Sequence, residues 1–212
     1  MRILVTAGPT REYLDDVRYL SNPSSGKMGF ACARAARRAG HRVTLVTGPA
    51  GLPDPPGCRT VRVTDAREMH RAVLEAWPRV DAVIMTAAVG DYRPARRFRG
   101  KLRKGAGGLS IRLVRTPDIL KALGARKGGR VLAGFALQVQ DAEREALRKY
   151  EEKNLDLVVL NSPRSFGADR MDAAAYREGE IVKRFRGASK ETVAAWIVRA
   201  VGKISGERSG PA

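Results

Sequence analysis

RILVTAGPTREYLDDVRYLSNPSSGKMGFACARAARRAGHRVTLVT, residues 2–47, is the stretch that decides the fold. Its first six residues are a short aliphatic and β-branched run ending at Gly8-Pro9, the pattern of a strand buried on both faces. A long loop follows and ends at Ser24-Ser25-Gly26. Residues 28–39, rich in Ala and Arg, then read as a helix, closed by Gly40 where a glycine is expected just past a helix end. RVTLVT at 42–47 is a second strand. Strand, crossover helix and strand make a βαβ unit whose connection should be right-handed. The expectation is an α/β fold.

Outward from this unit the rhythm continues. Residues 48–58 form a loop with four prolines, followed by a strand at 60–63, a helix from Asp65 as N-cap to about Trp77, and a strand at 81–86. Beyond residue 115 come a helix opening at Thr116-Pro117, a strand at 131–135, a helix at 141–153, a strand at 155–160 and a last helix at 189–204. Residues 205–212 are expected to fray. The segment from about 91 to 115 departs from the pattern: Leu109, Ile111 and Leu113 alternate with Ser110 and Arg112, after a GAGG stretch, as in a hairpin or flap. The reading is one domain over 1–204: a mostly parallel, Rossmann-like sheet with helices on both faces and a β-hairpin flap inserted. Ligands of such sheets lie beyond the carboxyl ends of the strands, which directs attention to residues 7–29, 86–94, 135–138 and from 161 onward.

Composition narrows the function. With 212 residues, 43% of them hydrophobic and spread in periodic groups, the chain has enough apolar surface to fold despite a formal charge of +18. No run of eighteen apolar residues occurs, and the apolar run at 3–5 is too short for a signal-peptide core, so the expectation is a cytoplasmic protein, neither secreted nor membrane-bound. Cys32 and Cys58, without CxxC or CxxH spacing, exclude a disulfide scaffold and a thiolate metal site. His41 and His70, the only histidines, exclude a metal site built on several imidazoles. The basic excess, 30 Arg and 10 Lys against 22 acids, favours anionic ligands, either phosphorylated metabolites or nucleic acid.

Three motifs carry chemistry, and each has a plainer reading. SNPSSGKMGF places hydroxyls, Gly26 and Lys27 at a helix start, where backbone N–H groups and the helix dipole attract anions. It is neither a Walker A loop nor GxGxxG, and on these residues alone a helix cap with a packing glycine is an equally good account. RPARRFRGKLRK, 93–104, has seven basic residues in twelve and no acid. It reads as a solvated flap, as an arm closing over phosphates, or as a nucleic-acid arm, the last poorly supported because Phe98 is its one aromatic. Lys149 and Lys153, four apart near a helix C-terminus, fit an exposed basic face better than a site on spacing alone. Asn22 has an amide suited to holding a carbonyl, although a turn is the commoner use.

Together these segments resemble the phosphopantothenate-cysteine ligase (phosphopantothenoylcysteine synthetase) family. TAGPTRE at 6–12, VRYLSNPSSGKMG at 17–29, AAVGDYRP at 87–94, KLRK at 101–104, TPDIL at 116–120, GFAL at 134–137 and KNLDLVVLN at 153–161 carry the likeness, in family order over nearly the whole chain. The resemblance implies a ligase of coenzyme A biosynthesis that joins 4'-phosphopantothenate to L-cysteine through an acyl-nucleotide, usually an acyl-cytidylate formed from CTP. It implies that Asn22 holds the activated acyl group, with Arg18 nearby, and that Lys101 reaches the triphosphate. Met85, Thr86, Ala87, Asp91, Pro117, Asp118, Ile119, Leu120 and Phe135 would surround the nucleotide, with Lys149 and Lys153 on its phosphates. Ser24, Ser25, Gly26, Lys27, Met28, Gly29 and Ala88 would form the anion and substrate loop. A homodimer and Mg²⁺ carried in with the nucleotide are also implied; the metal's ligands are not.

Two departures bear on the nucleotide. The family's usual Phe-Ala-Ala-Glu-Thr is Phe135-Ala136-Leu137-Gln138-Val139 here, and its Asn-Asp is Asn161-Ser162, which leaves ATP open beside CTP. Many bacterial members follow a flavin-dependent decarboxylase domain; with Met1 directly before the first strand, that activity and its flavin are expected in a separate protein. The competing functions are a nucleic-acid-binding module without sequence specificity and a Rossmann-like oxidoreductase of the short-chain type. The latter needs Tyr-x-x-x-Lys, whereas Tyr92 and Tyr150 are followed at that spacing by Arg96 and Asn154.

Overall fold

The computed structural model describes residues 1–137, 141–162, 165 and 167–209. In chain order it forms β1 (Arg2–Ala7), β2 (Arg11–Tyr13), β3 (Tyr19–Ser21), α1 (Lys27–Arg38), β4 (Arg42–Thr47), β5 (Arg59–Arg62), α2 (Ala66–Ala76), β6 (Ala82–Met85), β7 (Tyr92–Pro94), β8 (Leu113–Arg115), α3 (Ile119–Gly124), β9 (Val131–Leu137), α4 (Ala142–Glu152), β10 (Leu157–Asn161), β11 (Arg170–Arg177), β12 (Glu180–Ser189) and α5 (Lys190–Ser209). Eight strands form one sheet in the order β12-β11-β10-β9-β6-β1-β4-β5. Every pairing from β5 to β10 is parallel, and β11 and β12 extend the sheet antiparallel. Numbered along the chain, the parallel strands run 3-2-1-4-5-6, the order in which direction of winding reverses between the first and fourth strands. That reversal falls between β1 and β6.

The sheet is covered on both sides because its strands are apolar on both. In β1, Ile3, Val5 and Ala7 pack with Phe30 of α1 and Ile197 of α5, whereas Leu4 packs with Met69 of α2 and Leu123 of α3. This explains why the strands read as continuous apolar runs. Local signals agree with the packing: Asp65 accepts the Glu68 N–H at 2.8 Å to cap α2, and the Glu68 carboxylate accepts the Thr64 N–H at 2.7 Å.

Two expectations need correction, and one pair of strands was not expected. The flap is not a strand over 109–113: a short β7–β8 pair, Tyr92–Pro94 with Leu113–Arg115, closes its base, and Leu109 is 62% exposed, with no sheet to accept an alternating face. The tail does not fray at residue 205, since α5 continues to Ser209. Glu207 pairs with Arg177, and Arg208 pairs with Asp156 and donates to the Arg130 carbonyl, which holds the last turn. The β11–β12 hairpin is an addition, turned at Glu178-Gly179. Its register shifts near Met171 and Ala175 break the period of two by which a strand is read from sequence.

Candidate active site

The reversal between β1 and β6 opens a cleft, and the loops that leave these strands line it. Pro9 bridges to Ala88, so the two strand ends stay together past the sheet edge. The Thr86 hydroxyl donates to the Thr6 carbonyl at 2.7 Å, and the Thr6 hydroxyl accepts the Ala87 N–H at 3.2 Å. Opposite them α1 begins at Gly26, whose φ of +75° is left-handed and which has no side chain to cap the helix. The first N–H groups of α1 therefore face the cleft with the positive end of the helix dipole. Three residues on, a Cβ at Gly29 would lie 2.5 Å from Ala7 Cβ and 2.7 Å from the Thr6 carbonyl oxygen. The glycine brings α1 onto the sheet. Of the plainer reading the packing glycine holds, but the helix cap does not, since no side chain caps α1.

The cleft has two chambers. A smaller one of about 370 Å³ takes in Asn22, Ser24, Ser25, Gly26, Lys27, Met28, Gly29, Thr86 and Ala88. A larger one of about 560 Å³ takes in Met85, Pro117, Asp118, Ile119, Leu120 and Lys153. Ala87, Asp91, Phe135 and Lys149 line both. Arg18 and Lys101 line neither.

Each charged group has a definite setting. Lys149 is partly buried with its Nζ 3.5 Å from the Phe135 carbonyl. Burial, with Lys153 beside it, pushes its pKa down, partly offset by Asp91 and Asp118. Lys153 pairs with Asp118 at 2.9 Å, and Asp118 also caps α3 by accepting the Lys121 N–H at 3.0 Å. Burial alone would raise the Asp118 carboxyl, but these partners hold it below the usual carboxylate range. Lys27 donates to Asp169 at 2.6 Å and to the Gly167 carbonyl at 3.1 Å. Asn22 is exposed, and its amide nitrogen donates to the Ala88 and Val89 carbonyls at 3.2 and 3.3 Å. It ties the loop ahead of α1 to the wall between the chambers.

Arg18 works on the flap instead. Its guanidinium meets the Asp15 carboxylate at 2.9 and 2.6 Å and donates to the Leu102 carbonyl at 2.7 Å. Asp15 is buried, which would raise its pKa. Donation from the Arg18 backbone and side chain, Val17 N–H and Leu102 N–H outweighs burial and keeps the carboxyl ionised far below the usual range. Asp16 accepts the Gly100 N–H at 2.6 Å. The flap is thus pinned on either side of Lys101, which itself is exposed.

Sequence reasoning missed Lys190, Ser165 and Met171 in the smaller chamber and Arg115 and Lys121 in the larger. Arg115 and Lys121 flank a motif that had been found, so proximity was the available signal. Lys190 had none, because the unseen β11–β12 hairpin is what carries the start of α5 to the cleft. Of the two departures from the family pattern, Gln138 and Val139 lie outside the described residues. Asn161 donates to the Ser165 hydroxyl at 2.7 Å, and the Ser162 carbonyl accepts from Ser165.

These features define an open α/β domain of 3-2-1-4-5-6 strand order with a basic, two-chambered cleft at its point of reversal. The chain belongs to the family described as the DNA/pantothenate metabolism flavoprotein C-terminal domain, whose model matches residues 1–204. It is 41% identical over 215 residues to the coenzyme A biosynthesis bifunctional protein CoaBC of Bacillus subtilis, covering 98% of this chain and 53% of that protein. The CoaBC of Escherichia coli is 47% identical over 165 residues, 76% of this chain and 41% of that protein. The chain spans about half the length of the curated relatives it matches. A crystal structure of the C-terminal domain of CoaBC superposes with a TM-score of 0.85 at 40% identity, covering 97% of this chain and 96% of that one.

Proposed function

We propose that the chain joins 4'-phosphopantothenate to the amine of L-cysteine through an acyl-nucleotide, in the cytoplasm, as a step of coenzyme A biosynthesis. The observation that carries this is the pair of chambers meeting at Lys149 and Asp91. Two anionic substrates that must react with each other need adjoining seats with a shared cation. The nucleoside triphosphate occupies the larger chamber, its phosphates toward Lys149 and Lys153, and the acid occupies the smaller. In the first step a carboxylate oxygen of phosphopantothenate attacks the α-phosphorus and pyrophosphate leaves. Lys149 offsets the charge that two anions bring together, and Lys101 is delivered by the flap that Arg18 and Asp15 anchor. In the second step the cysteine amine attacks the acyl carbonyl and the nucleoside monophosphate leaves. Asn22 positions the Ala88-Val89 wall against which that carbonyl lies.

CTP is the proposed nucleotide, and the chain is proposed to act as a homodimer. Among the described residues no three His, Cys, Asp or Glu side chains gather as they would around a resident metal. Asp91 and Asp118 line the larger chamber, and Asp118 is engaged by Lys153 and Lys121. Asp91 would be the residue to meet Mg²⁺ carried in with the triphosphate. The ion supplies neutralisation of phosphate charge. The test is pyrophosphate release by the purified chain with phosphopantothenate, cysteine and each nucleoside triphosphate in turn. Turnover is expected with CTP; failure of every triphosphate with folded protein overturns the reading.

A further inference from the structure

Asn154 occupies a position that helix ends commonly give to glycine. It follows Lys153, the residue that closes α4, and its φ of +49° lies in the left-handed region, where an asparagine is tolerated and a glycine is at ease. Its amide shows why a side chain is present. The amide nitrogen donates at 3.2 Å to the carbonyl of Gly124, the last residue of α3, and the amide oxygen accepts from Lys127 Nζ at 3.2 Å. Lys127 is 8% exposed, donates also to the Asn154 carbonyl at 2.8 Å, and pairs with Asp156 at 2.6 Å. Asp156 in turn accepts the Leu132 N–H at 2.8 Å and pairs with Arg208. One turn is thereby fastened to the end of α3 and to the sheet beneath it.

The same turn meets α3 elsewhere. A Cβ on Gly124 would lie 2.2 Å from the Lys153 carbonyl oxygen, so the ends of α3 and α4 are in backbone contact. At the start of α3 its capping residue, Asp118, pairs with Lys153 at 2.9 Å. Leu120 of α3 and Leu155, next after Asn154, both crowd Gly134 of β9, where a Cβ would lie 3.1 and 2.9 Å from their methyl carbons. A helix of six residues has little stability of its own, so the place of α3 is set by what docks its ends. The larger chamber draws its lining from both helices, Asp118 to Lys121 on one side and Lys149 with Lys153 on the other. Asn154 lines neither chamber.

We propose that Asn154 is a positioning residue for the nucleotide: by fastening the end of α3 to the end of α4 it fixes the spacing of the two helices that line the larger chamber, and so sets the affinity for the triphosphate without touching it. The identity of that chamber's ligand rests on the ligase reading; the fastening does not.

Asn154→Gly removes the amide and leaves a backbone suited to the left-handed turn, so the turn itself is kept. KM for the triphosphate should rise about twofold to tenfold, the range spanned by one lost hydrogen bond, with kcat at saturation and KM for phosphopantothenate unchanged. Asn154→Asp keeps an acceptor for Lys127 but sets a carboxylate against the Gly124 carbonyl, so it should raise the same KM at least as far. Amide hydrogen exchange of the chain without ligands should show protection of residues 119–124 reduced in Asn154→Gly, and that of α1 and α2 unchanged. A lower Tm or kcat with the triphosphate KM unmoved would make Asn154 a residue of the fold alone and refute the proposal, as would undiminished protection of α3. If no triphosphate supports turnover by the wild-type chain, the ligase reading falls, and exchange in α3 still decides for or against the fastening.

Discussion

Replacing Gly29 by alanine tests whether the close seating of α1 on the sheet is what shapes the loop that lines the smaller chamber. Inside a helix alanine is favoured over glycine by about 1 kcal/mol, so with room to spare Gly29→Ala would stabilise α1. There is no room. The new Cβ would lie 2.5 Å from Ala7 Cβ, 2.6 Å from the Thr86 hydroxyl and 2.7 Å from the Thr6 carbonyl oxygen, where ordinary contact begins at 3.4 Å. The end of β1 and the hydrogen-bonded Thr86 just past β6 crowd the site, so α1 must lift. Overpacking of this kind costs about 1–3 kcal/mol, which leaves a net loss of up to ~2 kcal/mol after the helix gain. For a chain of this size that is a fall in Tm of up to about 8 °C. The larger effect is functional, because a shift of about 1 Å at a substrate-positioning loop can cost on the order of a hundredfold in rate. Gly40→Ala is the control: its φ is +81° but the space around it is open, so it should lose stability and keep activity. Thermal unfolding and pyrophosphate release on both variants check the argument. A Gly29→Ala chain as stable and active as the parent would refute it.

Lys101→Ala should slow acyl-nucleotide formation by tenfold or more, whereas Lys104→Ala, outside the segment pinned by Arg18 and Asp16, should have little effect; equal small effects would mark the arm as a solvated flap. Asn22→Asp turns a carboxylate toward the Ala88 and Val89 carbonyls and displaces the wall between the chambers, so quench experiments should find up to about one pyrophosphate per site and then a stall with acyl-nucleotide bound. Normal turnover of that variant would show the asparagine to be a turn residue only. Burial pushes the Cys32 thiol up to about 12, opposed by Arg34, and also raises Cys58, which is only partly buried, so a thiol reagent at pH 8 should label Cys58 first and Cys32 only on unfolding. Equal rates in the folded chain would contradict this.

The elements whose local and tertiary demands coincide were legible in the sequence. β1, α1 and β4 were found with their boundaries within a residue, and Asp65 caps α2 as expected, because buried parallel strands and capped helices leave unambiguous patterns. Where tertiary context decides, the pattern failed. Leu109 to Leu113 alternate without burying a face, and β11 buries Ala173, Ala174 and Ala175 in succession because both faces of the sheet are covered there, between two register shifts. The site followed the same division. The residues assigned from the resemblance line one or other of the two chambers, except Lys101 and Arg18, which stand on the flap and its anchor. Lys190 was illegible because nothing in its own neighbourhood says which strand will carry it there.

The two chambers belong to different layers of the molecule. The smaller draws on the starts of α1 and α5 on one face of the sheet, and the larger on α3 and α4 on the other. They meet over the ends of β6 and β9, at Ala87 and Phe135. Substitutions that retune the pocket on one face are therefore insulated by the sheet from the packing of the other, and each ligand preference can drift in evolution while its neighbour is held fixed. A change in the lining of one pocket need not disturb the other, provided Lys149 and Asp91, the two charged residues that both pockets share, are left alone.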